Sequence, residues 1–202
     1  MASIKQLSRC ILPAAIAALG AVSVAGCGGS SGDANAQEIR THGANNAITD
    51  VDGIRVGQYQ QIGGGFQTGT TVVWAPEGAV GSAYVGGGWP GTINTDGLQP
   101  GKRGQKLDAA FLTGGSYFGL AAFGGIMQWL EENRYGLVVG TTPDQVDPLV
   151  AGAVVYDLAR GGSYTSRPDA KFGYEAIKAA KTGPVAMGNV GAGTGTSSNG
   201  GL

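Results

Sequence analysis

The sequence predicts an α+β domain of layered architecture, and three observations predict it. Short β-branched or apolar runs recur between turn residues, as in TTVVWA (70–75), LDAAFLT (107–113) and AGAVVYDL (151–158). Residues 117–132 (YFGLAAFGGIMQWLEE) place Leu120, Phe123, Met127 and Leu130 at three- and four-residue spacings, which is the period of a helix. Pro168-Asp169 then opens a second helical pattern over 170–181, with Phe172, Ala176, Ile177 and Ala180 on one face. The resulting order, β, β, β, α, β, α, β, mixes hairpins with crossovers, as α+β or layered α/β/α domains do.

Each element has a local reason. Ile48, Val51, Ile54 and Val56 seed a first strand around the turn Val51-Asp52-Gly53. Thr70–Ala75 reads as a strand, Pro76-Glu77-Gly78 as a turn and Ala79–Val85 as its hairpin partner. Residues 86–104 read as a loop. Gly114-Gly115-Ser116 breaks the buried strand Leu107–Thr113, with Ser116 suited to cap the helix that follows. Glycines 119, 124 and 125 weaken that helix by about 1 kcal/mol each, so close packing against a sheet is expected there. Gly136–Val139 reads as a short strand, TTPDQVDP (141–148) as a loop, Ala151–Leu158 as a buried strand and Val185–Gly188 as the start of another.

Composition bounds the function. The chain has 202 residues, enough for one domain with a core, and 42% of them are hydrophobic. Its 39 glycines, about a fifth of the chain, show no triplet repeat and lie between apolar runs, as in tight turns. Residues 1–26 read as a secretory signal peptide, with Lys5 and Arg9 ahead of an apolar stretch. Val24-Ala25-Gly26-Cys27 resembles a bacterial lipobox, so cleavage before Cys27 and lipidation of its sulfur are expected. Gly28 rather than Asp follows, so the expected location is the cell envelope, on the periplasmic or extracellular face and in the outer membrane. Residues 27–46 are then the lipidated Cys and a polar tether, and 47–202 the folded part.

Of 13 basic residues, Lys5 and Arg9 leave with the signal, so 11 remain against 14 acidic ones, a net charge of −3. No basic patch calls for nucleic acid. Cys10 also leaves and Cys27 carries lipid, so a disulfide is not expected. His42 is the single histidine, which excludes a Cys/His metal cluster and a Ser-His-Asp triad within this chain; no cofactor is expected.

Two segments carry candidate chemistry. LTGGSYFGLAA (112–122) is a strand, a double-glycine turn and a helix start, whose backbone N–H groups could cradle an anion or an oxyanion. On spacing alone, a tight strand-to-helix connection without a ligand is the favoured reading. It has neither the lysine of a P-loop nor the spacing of a nucleophile elbow. GNVGAGTG (188–195) lacks the strand and helix of a dinucleotide site, but Asn189 could donate to a developing oxyanion, or simply form a turn. Asp108, Asp157 and Asp169 sit at element edges and read as caps or surface charges, and Glu131-Glu132 as a solvated helix end.

Taken together, NAITDVDGIRVG (46–57), TTVVWAPEGAV (70–80), LTGGSYFGLAAFGGIMQWLEE (112–132), AVVYDLARGG (153–162), RPDAKFGYEAIKAA (167–180) and GPVAMGNVGAGTGT (183–196) resemble one family. It is the self-processing L-aminopeptidase/D-Ala-esterase group, which includes the β-peptidyl aminopeptidases. The resemblance implies an αββα sandwich of the N-terminal-nucleophile type, incomplete in this chain. It implies a precursor that cuts its own backbone to free a catalytic Ser or Thr at the head of a β-chain, with the α-amine as base. The chain then looks like an α-chain without the nucleophile, inactive by itself, with its own β-chain, a peptide or aminoacyl amide or ester substrate, and further copies of itself as partners.

The resemblance also assigns residues. Asn189 matches the family's oxyanion-stabilising Asn. The family's tyrosine falls on Phe118, which has no hydroxyl, with Tyr117 beside it as a tentative substitute. Gly114, Gly115 and Ser116 line the substrate pocket. A non-catalytic envelope lipoprotein that keeps the fold and binds small peptides is the alternative, and Phe118 favours it. The related fold of ornithine acetyltransferase is a third possibility, at odds with a lipobox.

Overall fold

The computed structural model describes residues 42–102 and 106–197. The signal peptide, Cys27 and most of the tether lie outside the described residues. The backbone is hydrogen-bonded from Gly43 onward, where the Asp50 carboxylate accepts from the Asn45 and Ala47 backbone nitrogens. These contacts hold the Asp50 carboxyl below its ordinary range, the Ala47 N–H most of all.

One five-stranded sheet organises the rest, in the order β1-β2-β4-β7-β3. β1 (Arg55–Gly63) and β2 (Phe66–Ala79) form a hairpin through the glycines at 63–65. β4 (Leu107–Thr113) runs antiparallel to β2 and parallel to β7 (Val150–Val154), and β3 (Thr92–Ile93) closes the far edge antiparallel to β7. A small ribbon of β5 (Leu137–Val138) and β6 (Val146–Asp147) stands apart from this sheet.

Several sequence expectations are corrected. Pro76-Glu77-Gly78 is not a hairpin turn. It lies within the 14-residue β2, at a register shift between Trp74 and Ala79 that absorbs the proline's missing donor and Gly78's positive φ. Residues 80–85 form no strand, because the true hairpin lies upstream, where three successive glycines adopt positive φ. The 86–104 loop carries β3 and a short 3-10 turn, Thr95–Leu98. The TTPDQVDP loop supplies β6. Val185–Gly188 is not a strand; the last ladder contact is an isolated bridge between Val56 and Lys181.

Two helices, α1 (Ala122–Glu132) and α2 (Ala170–Lys178), cover one face of the sheet. Tyr59, Val72, Trp74, Ala109, Phe111 and Val150 project toward them, and Ile126, Leu130, Ala176 and Ile177 complete the core. Burying each large apolar side chain contributes roughly 1.5–3 kcal/mol before entropy is counted. Trp74 anchors one end, with the rings of Trp129 and Tyr135 edge-on at 5.0 and 4.9 Å.

The glycines of α1 act on the neighbouring helix rather than on the sheet. A side chain on Gly125 would collide with the Ala170 carbonyl, and one on Gly173 with the Ala122 carbonyl, so each helix lets the other's backbone in. Gly124 faces open space. Glu132 is exposed, as expected, and also ties the helices together by accepting from the Tyr174 hydroxyl at 2.7 Å.

The sheet face opposite the helices carries no α-helix among the described residues, only the short 3-10 turn Gly191–Gly193. The loop 186–197 crosses it over β1 and β2, where Gln58 donates to the Ala186 carbonyl and Gln60 accepts from Gly191 N. Ile62 and Leu112 remain more than half or half exposed on this face, at 61% and 50%.

Candidate active site

The chemistry-bearing segments meet around Gly69 in the middle of β2. Its carbonyl accepts from Gly114 N at 2.9 Å. Its other side lies so close to the Gly191 carbonyl that a side chain there would collide. Next to it, the Thr71 hydroxyl accepts from Ala192 N at 3.0 Å. The turn after β4 and the glycine-rich loop 188–195 are thus fixed to one strand at one level.

The turn is built on two successive left-handed residues, Gly115 at φ 81° and Ser116 at φ 52°. Glycine takes this conformation freely, and serine does so at a cost that the surroundings must offset. Ser116 therefore does not cap a helix. Gly115 holds the cap position without a side-chain bond, and the chain passes through a 3-10 turn, Ser116–Ala121, before α1 begins at Ala122. By contrast Asp169 does cap α2, accepting from Phe172 N.

Of the backbone donors expected to cradle an anion here, those of Gly114, Gly115 and Ser116 are already taken. Gly114 N is bonded to the Gly69 carbonyl, Gly115 N to the Asp157 carboxylate at 2.6 Å and Ser116 N to the Val155 carbonyl at 3.1 Å. The turn can wall a pocket, but its donors are spent within the protein.

Asp157 is the residue that sequence reasoning undervalued. It is neither a cap nor a surface charge: it is 5% exposed, accepting from the Thr68 hydroxyl at 2.5 Å and from Gly115 N. Burial pushes its carboxyl above the ordinary range, opposed by those two hydrogen bonds. A side chain on Gly114 would strike both Asp157 and Thr68. The available signal was a lone carboxylate closing an otherwise apolar run, VVYD. Asp108 is similar: it is buried, accepts from Leu149 N at 2.8 Å, and burial raises its carboxyl.

Asn189 is exposed in the glycine-rich loop. Its Oδ1 accepts from Gly195 N at 3.3 Å, which leaves the Nδ2 group, the donor an oxyanion needs, outside that contact. Among the described residues nothing accepts from that nitrogen. Tyr117 donates its hydroxyl to the Pro90 carbonyl at 2.8 Å and so pins the loop before β3. Phe118 lies under the Arg167 guanidinium, 3.7 Å from the ring centroid. Among the described residues no group of three or more His, Cys, Asp and Glu could hold a metal ion. No helix among them is long and apolar enough to cross a membrane.

Comparison with known proteins agrees with this architecture. The chain is 48% identical over 154 residues to an uncharacterized aminopeptidase of Mycobacterium tuberculosis, covering 73% of this chain and 43% of that protein. It is 44% identical over 163 residues to an uncharacterized aminopeptidase of Mycobacterium leprae, covering 74% and 44%. The chain therefore spans less than half the length of these relatives. Among solved structures, a β-aminopeptidase from a Burkholderia species matches with TM-score 0.53 at 26% identity, over 77% of this chain and 44% of that one. The L-aminopeptidase D-Ala-esterase/amidase of Ochrobactrum anthropi, described as a variant of the Ntn hydrolase fold, matches with TM-score 0.62 at 22% identity, over 77% and 45%. The first likeness and the second agree on an α+β, Ntn-hydrolase-type fold. The family model described as peptidase family S58 matches residues 46–201, so the chain belongs to peptidase family S58.

Proposed function

We propose that these residues form the α-chain part of a self-processing, serine-type aminopeptidase or amidase, with the nucleophile on a β-chain segment outside the 202 residues. The observation that carries the proposal is family membership together with the exposed Asn189, whose Nδ2 has no acceptor among the described residues. The chain's span of 43% of its mycobacterial relatives leaves room for such a segment. The printed descriptions of the Burkholderia and Ochrobactrum proteins, a β-aminopeptidase and a prototype of the serine aminopeptidases, support the reaction type.

In this reaction the Ser or Thr at the head of the β-chain attacks the carbonyl carbon of an N-terminal aminoacyl amide or ester. Its own α-amine takes the hydroxyl proton. Asn189 Nδ2 donates to the oxygen as it gains charge, and such a donor contributes about 3 kcal/mol to transition-state stabilisation. The tetrahedral intermediate collapses, the leaving amine or alcohol departs with the proton, and water releases the acyl group. Gly114–Ser116 wall the pocket. Phe118 supplies no hydroxyl, so proton handling falls to the β-chain, and Tyr117 is held by Pro90 rather than free to substitute.

The chain is further proposed to be exported and anchored through lipid on Cys27, on the strength of the Val24–Cys27 sequence, and to assemble as a homo-oligomer. Incorporation of labelled palmitate that is lost in Cys27→Ala checks the anchor. The activity is tested by expressing the complete reading frame and assaying L-, D- and β-alanyl anilides and esters. Turnover is expected, and Asn189→Ala should lower kcat about 10²-fold with little change in KM. A full-length product that binds such compounds without hydrolysing any of them supports the non-catalytic lipoprotein instead.

A further inference from the structure

Beside the Gly114–Ser116 turn stands an aromatic patch with a cation on it. Phe118 and Tyr164 are 51% and 53% exposed. The Arg167 guanidinium lies 3.7 Å from the Phe118 centroid and 5.9 Å from that of Tyr164. Pro168, the next residue, packs so tightly under Gly115 that a side chain there would press on its Cδ. Arg167 is therefore tied to this turn twice, by its contact with the Phe118 ring and by its neighbour Pro168 against Gly115.

Its hydrogen-bonding capacity is unspent. Among the described residues no carboxylate lies within ion-pair distance of Arg167 and no acceptor takes its N–H groups. The carboxylates around the turn are committed elsewhere, Asp157 to Thr68 and Gly115 and Asp169 to Phe172. Stacking uses the face of a guanidinium and leaves its five in-plane donors untouched. An Arg whose face rests on a ring keeps its N–H groups for another partner, and a carboxylate taken by two parallel hydrogen bonds suits them. The turn's own N–H groups are all used internally, which leaves Arg167 as the cationic donor of this wall.

From this arrangement we infer that Arg167, oriented by Phe118, is a specificity residue that binds a carboxylate of the substrate. The inference rests on the aminopeptidase reading above. It makes the preferred substrate an aminoacyl compound bearing an anion, either the free C-terminal carboxylate of a short peptide or an acidic side chain.

The test uses the full-length processed enzyme and the aminoacyl group it turns over fastest. Three substrates are compared: that aminoacyl group joined to alanine with a free carboxylate, the same compound as its C-terminal amide, and an acidic aminoacyl alaninamide. Arg167→Met should lower kcat/KM on one of the two carboxylate-bearing substrates at least tenfold more than on the neutral amide, chiefly through KM. Which substrate suffers identifies the carboxylate. Arg167→Lys, which keeps charge but not the fork, should recover part of the loss. Equal losses on all three substrates, or none, overturn the assignment while leaving the aminopeptidase intact. A wild-type enzyme inactive on these three and on every anilide and ester above overturns the underlying reaction, and this inference with it; one active on anilides or esters but on none of these three overturns the carboxylate assignment alone.

Discussion

The Asp157 carboxylate lies 2.6 Å from the backbone nitrogen of Gly115, 42 residues earlier in the chain. It thereby fastens the segment after β7 to the turn after β4, where the two strands run parallel side by side. Its second oxygen takes the Thr68 hydroxyl from β2, so one buried carboxylate joins three strands beneath the candidate pocket.

Replacing that carboxylate should be costly in a specific way. Asp157→Ala leaves a buried N–H and a buried hydroxyl without partners, each costing about 1–3 kcal/mol. Asp157→Asn keeps an acceptor for Gly115 and lets the Thr68 hydroxyl reverse. Urea denaturation of the complete protein should therefore rank wild type, then Asn, then Ala, with Ala lower than wild type by about 2–4 kcal/mol.

The same residue gives a pH signature. Burial raises the folded carboxyl above its ordinary value of 3.8, so the folded state holds the proton more tightly than the unfolded chain. The stability this contributes is complete below the unfolded value and is lost as pH rises through the folded one. Asp157→Asn removes the titration. The stability of wild type relative to Asp157→Asn should fall as pH rises from below 3.8 and level off once the folded carboxyl has ionised, as read by denaturant midpoints across pH.

The paired glycines of the helices make an opposite pair of predictions. Gly124 faces open space, so Gly124→Ala should stabilise the protein by about 0.5–1 kcal/mol through helix propensity. Gly125→Ala gains the same propensity but drives a methyl into the Ala170 carbonyl, and the helices must separate. It should be destabilising by about 1–3 kcal/mol, and thermal melts of the two variants should move in opposite directions.

Residues 47–202 alone should associate rather than remain monomeric. The sheet face away from the helices leaves Ile62 and Leu112 exposed, and Met187 on the crossing loop is 88% exposed. Among the described residues the outer edge of β1 is bridged only at Val56. Such a surface recruits other strands or apolar faces. Light scattering of this piece should show aggregates and dye binding, both suppressed when the proposed β-chain is co-expressed.

Much of this architecture was legible in the residues themselves. LDAAFLT and the Asp169-capped helix fall where period and capping chemistry place them, because local preference and burial agree there. The hairpin was misplaced because Pro76-Glu77-Gly78 carries turn chemistry that the ladder to β4 overrides, while the glycines at 63–65 gave a weaker local cue. Ser116 has the composition of a cap, yet the Asp157 bond to Gly115 bends the turn into left-handed geometry that no window around Ser116 reveals. The spending of the turn's N–H groups on Gly69, Asp157 and Val155 was equally hidden, since all three partners lie about 40 residues away. Arg167 had no sequence signal beyond preceding a proline; its role emerges from the ring it stacks on.

The central claim is that this chain works with a β-chain whose first residue is the nucleophile. Intact-mass measurement on the purified product of the complete reading frame tests it most directly. Two chains should appear, the lighter or heavier partner beginning with Ser or Thr, and substitution of that residue should leave one uncut precursor without activity. A single uncut chain in the wild-type product, however it is purified, would contradict the account.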